Sequence, residues 1–69
     1  MEGDQTVADK LCKQLVTKEM KGQRTEHQFK SIVSSKAKGE LKKVYTDELF
    51  IKRVASLCYE AAKQQYDHL

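Results

Sequence analysis

The stretch TDELFIKRVASLCYEAAKQQYD, residues 46–67, decides the fold. Thr46, followed by Asp47 and Glu48, reads as an N-cap with acidic residues in the first turn. There a side-chain oxygen satisfies an early backbone N–H, and negative charge complements the helix dipole. Phe50, Ile51, Val54, Leu57, Cys58, Ala61 and Ala62 then recur at three- and four-residue spacing and share one side of a helix. Lys52, Arg53, Ser56, Glu60, Lys63, Gln64 and Asp67 occupy the other side. Such a helix must bury one face against partners. The small Ala61 and Ala62 allow a neighbour to come close, and Tyr59 and Tyr66 sit at the boundary with their hydroxyls toward water.

The same device recurs upstream. Thr25 reads as an N-cap, with Glu26 and Gln28 supplying first-turn acceptors, and Phe29, Val33, Ala37, Leu41 and Val44 hold one face while Ile32 falls somewhat off it. Gly39 costs about 1 kcal/mol inside a helix relative to alanine, so it marks the point where this second helix would break in two. Because Ala37, Leu41 and Val44 keep phase across it, a single helix is expected, with the glycine as the point where it can bend. Thr6 reads as the first N-cap, and Val7, Ala8, Leu11, Cys12, Leu15 and Val16 form a third stripe, with Met20 at its margin and Gly22 as the C-terminal cap. The expected fold is therefore all-α: a small up-down-up three-helix bundle, or four short helices if Gly39 splits the second. Residues 1–5 are expected as a flexible tail and residues 6–69 as one helical domain.

Composition agrees with this class. Proline is absent, so nothing of that kind breaks the helices, and 39% hydrophobic against 33% charged residues gives a polar but periodically patterned chain. At 69 residues the chain sits near the lower limit for a self-sufficient core. Cys12 and Cys58 are too sparse for a disulfide framework, and both are expected as reduced thiols packed on buried stripes. No run reaches the roughly 20 apolar residues that span a bilayer, and the opening MEGDQTVADK carries acidic residues where a signal peptide carries basic ones. An intracellular, cytoplasmic location without a membrane partner is expected.

Reactive chemistry finds no support in the pattern. Cys12, Cys58, His27 and His68 would make a legitimate zinc set, but without close-spaced ligand pairs four separate segments would have to converge. The glycines are isolated, which leaves no phosphate-cradling loop, and Asp47 beside Glu48 is explained by capping. No catalytic residue, cofactor or metal is assigned.

Charge supplies the one asymmetry. Residues 22–45 carry six basic and two acidic side chains, a net +4. Arg24, Lys30, Lys36, Lys38, Lys42 and Lys43 are thus the candidate contacts for an anionic partner. The competing reading is a solvated face, since Lys38 and Lys42 flank one edge of the apolar stripe and Lys36 and Lys43 the other. Two arginines in the whole chain are few for reading base edges, and no convincing recognition helix follows either turn. The expected function is a non-enzymatic helical protein-interaction module with a regulatory or assembly role, binding another protein or a second copy of itself. The alternative is a small nucleic-acid-binding protein that uses segment 24–43 for phosphate contacts.

Overall fold

The computed structural model describes residues 3–69. Its elements are α1 (Asp4–Leu15), α2 (Lys18–Lys21), α3 (Glu26–Lys42), α4 (Glu48–Gln65) and a terminal 3₁₀ turn (Tyr66–His68), with no strand among the described residues. The fold is all-α. Three long helices and the single-turn α2 pack into a body of 34 × 17 × 15 Å.

Contacts between side chains fix the helix directions. Phe29 at the start of α3 meets Tyr66 beyond the end of α4, with ring centroids 6.0 Å apart, while Leu41 near the end of α3 clusters with Ile51 and Val54 near the start of α4. Those two helices form an antiparallel hairpin. Asp4 meets Arg53, and Cys12 meets Cys58, so α1 runs alongside α4 in the same direction and against α3. An up-down-up arrangement results.

Two clusters make up the core. One gathers Leu15, Phe29, Val33, Ala37, Ala55, Cys58 and Ala62; the other gathers Val7, Ala8, Leu41, Ile51 and Val54. Leu11 and Cys12 pack against both and join them. The stripe expected on α4 is present with its centre rotated: Ala55 is buried, whereas Phe50, Leu57 and Ala61 are only half-buried.

The helix boundaries differ from expectation where side chains compete for caps. At Thr25 the cap is as expected and complete: its Oγ1 accepts from the Gln28 N–H at 3.2 Å, and the Gln28 side chain accepts from the Thr25 N–H at 3.1 Å. Thr46 is not a cap. Asp47 takes that place, because its carboxylate accepts from both Leu49 and Phe50 N–H, at 3.0 and 3.3 Å, and adds a charge that threonine lacks. Thr6 likewise lies within α1, whose N-cap is Gly3. The helix extends back to Asp4, where the carboxylate receives the Arg53 Nε–H at 2.6 Å across the bundle. Of the expected 1–5 tail, Asp4 and Gln5 are therefore helical, and residues 1 and 2 lie outside the described residues.

The first helix also stops early. Val16 and Thr17 are consecutive β-branched residues, which weaken a helix, and Thr17 Oγ1 instead accepts from Met20 N–H at 3.1 Å to start α2. The break turns both Val16 and Met20 onto the first cluster. Gly22 then ends α2 with φ +48°, a conformation that residues with a Cβ adopt only under strain. Gly39 does not split α3, which is helical from Glu26 to Lys42. The glycine is exposed and nothing lies within 4 Å of where a Cβ would stand, so packing gives no reason for a kink there.

The cysteines require the largest correction. They are not reduced thiols but a disulfide between Cys12 on α1 and Cys58 on α4, with Cα atoms 5.2 Å apart. Both lie on inward stripes, as expected, yet those stripes face each other across the bundle. Closing a loop of 46 residues in the unfolded chain corresponds to about 4 kcal/mol of stabilisation on the chain-entropy account. For a domain this small, whose whole stability is on the order of 3–10 kcal/mol, that is a large share.

Candidate protein-docking surface

The six basic residues of segment 24–43 do not converge on one site. The Arg24 guanidinium donates to the Met20 carbonyl at 2.9 Å, and its own carbonyl accepts from the Tyr66 hydroxyl at 2.9 Å, so this residue braces the α2–α3 turn. Lys30 lies over the Tyr59 ring of α4, 5.2 Å from its centroid. Lys43 pairs with Glu40 at 3.3 Å. Lys36, Lys38 and Lys42 are exposed on α3, with Lys38 and Lys42 one turn apart and Lys36 on the opposite edge. Three of the six thus brace or pair with neighbouring groups, and of the other three Lys36 stands apart from Lys38 and Lys42.

A further lysine outside that segment is more firmly placed. Lys21 donates to the backbone oxygens of Tyr66 and Leu69 at 2.9 and 3.1 Å, and its ammonium stands 4.3 Å from the Tyr66 ring centroid. This cation satisfies carbonyls at the end of α4, where the helix dipole favours positive charge. Tyr66 was expected to turn its hydroxyl toward water. It is held inward instead, between Phe29, Lys21 and the Arg24 carbonyl.

The zinc set is dismantled by the cross-link, since sulfurs in a disulfide are not thiolate ligands. Among the described residues no three histidine, cysteine or acidic side chains stand close enough to share a metal ion. On α4, the hydrogen bond that Arg53 donates to Asp4 raises the guanidinium pKa above its ordinary value; partial desolvation opposes this, and the charges of Asp4 and Asp47 add to it. An arginine is protonated at any working pH, so this pair places α1 and does not act as a switch.

What the surface does offer is a shallow apolar groove between α1 and the end of α3. Val7, Leu11, Leu41, Val44 and Tyr45 line it, with Lys10, Gln14 and Glu40 at the rim. The sequence pattern placed Val44 on the buried face of the second helix. Its side chain is instead 74% exposed, because α3 ends at Lys42 and the chain turns away before Val44 can pack. Leu49, at the start of α4, is 67% exposed at the same end of the bundle. Between them Tyr45 and Phe50 meet in a tilted ring contact with centroids 4.7 Å apart. The hydrophobic periodicity gave no warning of this, since Val44 keeps phase with Leu41 and only the helix end removes it from the face.

Fold and surface together define a disulfide-stapled small helical bundle with an apolar groove near its α3–α4 connection. No helix is long and apolar enough to cross a membrane among the described residues. The sequence matches no family model, and no curated protein or solved structure is detectably similar to it.

Proposed function

We propose that the chain is a non-enzymatic helical protein-interaction module with a regulatory or assembly role, and that the partner in its groove is a second copy of the same chain. The observation that carries this reading is Val44, a large apolar side chain 74% exposed at the edge of an apolar groove. Isolated apolar residues are common on surfaces, but one that borders a groove of matching character is a natural knob for it. A two-fold contact sets the same patch on both sides and therefore needs a self-complementary surface. The rim supports this, because Glu40 lies among Lys10 and Lys43 and a two-fold can oppose carboxylate to ammonium, whereas a rim of one sign would repel its copy.

Sedimentation of the oxidised protein between about 5 and 500 μM is expected to show a rise from 8.0 kDa toward twice that mass. V44E is expected to hold the protein at the monomer mass with an unchanged helical spectrum. A monomer across the whole range, or association that V44E leaves intact, overturns the reading.

The nucleic-acid alternative retains Lys38 and Lys42 as adjacent exposed contacts on α3. Fluorescence anisotropy with duplex and single-stranded nucleic acid at low and moderate salt tests it, since phosphate binding weakens steeply with salt and K38E/K42E would abolish it. As to compartment, the expectation of a cytoplasmic chain rested partly on reduced thiols. The Cys12–Cys58 bond favours an oxidising one.

A further inference from the structure

We infer that the Cys12–Cys58 disulfide makes the seating of α1 conditional on redox state, so that a dithiol reductant of the thioredoxin type disassembles the bundle. The helix it holds is poorly equipped to hold itself. α1 buries only Val7, Ala8 and Leu15, all small or slightly exposed, and it is joined to α3 through the short α2 and two turns. Leu11 is only half-buried, and the Asp4–Arg53 pair is solvent-exposed, where an ion pair adds little. α3 and α4, by contrast, bury nine side chains between them, seven of the nine with no more than 1% exposure.

The sulfurs differ in access. Cys58 is fully buried, while Cys12 is half-buried and lines a shallow surface depression with Asp9, Lys13, Val16, Ala61 and Gln65. A reductant thiolate therefore attacks Cys12 Sγ. The sulfur–sulfur bond breaks, its electron pair leaves on Cys58 Sγ, and that thiolate takes up a proton. The second thiol of the reductant then displaces Cys12 from the mixed disulfide. The dithiol ends as a disulfide and the chain as two thiols, with two electrons and two protons transferred. Because Cys12 and Leu11 join the two core clusters, reduction frees α1 where those clusters meet.

The effect is large on the loop-closure account, with the unfolded fraction rising by roughly a thousandfold and the thermal midpoint falling by about 20 °C. The docking groove draws Val7 and Leu11 from α1, so reduction would also remove it; that consequence alone rests on the docking reading.

The test is a thermal melt by circular dichroism of the oxidised protein, of the same protein in excess dithiothreitol, and of C12A/C58A. A drop of about 20 °C on reduction is expected, with C12A/C58A low from the start and indifferent to dithiothreitol. Complete loss of helical signal at 25 °C, restored on reoxidation, is the same outcome at its extreme. Midpoints within 3 °C of one another overturn the inference, as does alkylation of both cysteines in protein folded in air. None of these readouts involves association, so a monomeric oxidised protein leaves the inference standing while removing the docking reading.

Discussion

The α3–α4 hairpin and α1 solve the same problem by different means. In the hairpin, helices of 17 and 18 residues carry apolar positions along their whole length, and Phe29, Val33, Val54 and Cys58 are entirely buried. In α1, 12 residues carry three buried side chains, none larger than leucine. Burying apolar area stabilises by roughly 25 cal/mol per Å², so the long pair is held by packing, whereas the short helix, with less area to bury, is tied to α4 by a covalent bond. A short polar helix joins a small core when cross-linked to it.

That contrast can be broken at its strong side. F29A removes the largest fully buried side chain, where α3, the terminal turn and Leu15 meet, and is expected to cost about 4 kcal/mol in urea unfolding. A loss below 1 kcal/mol would show that the hairpin does not depend on this packing. At the weaker side, L15A takes a side chain already 8% exposed from α1 and is expected to cost about 2 kcal/mol in the oxidised protein, since a site near the surface collapses more easily. Should L15A prove as damaging as F29A, α1 would be anchored by packing after all and the division between the two regions would fail.

The smallest expected effect has the opposite sign. G39A sits on the exposed side of α3 with nothing near its added Cβ, and is expected to stabilise by about 0.5–1 kcal/mol through reduced freedom of the unfolded chain. Amide exchange across residues 36–42 would sharpen the point. Slower exchange there in G39A is expected, and a destabilised variant would mean that the glycine serves a contact made by a partner.

Much of the fold was legible from the chain itself. The stripes of α3 and α4, the capping box at Thr25 and the turn at Gly22 all follow from local rules, in which spacing sets a face and one side chain sets a helix end. Boundaries were misread where two local solutions compete. Asp47 outbids Thr46 by bonding two amides, Thr17 opens a new helix after a β-branched pair, and Asp4 extends α1 because Arg53 lies across the bundle. The basic segment was legible as charge and illegible as a site: braces such as Arg24 to Met20 and Lys30 to Tyr59 depend on partners, one of them 29 positions away on another helix.

The sequence by itself determined that this chain forms amphipathic helices, because periodicity and capping act over three or four residues and need no partner. It also placed Cys12 and Cys58 on inward faces. Only the tertiary structure decided that those faces meet, that the thiols are therefore a cross-link, and that Val44 escapes the core. Those outcomes depend on the relative rotation of helices packed from distant parts of the chain, which no local spacing specifies.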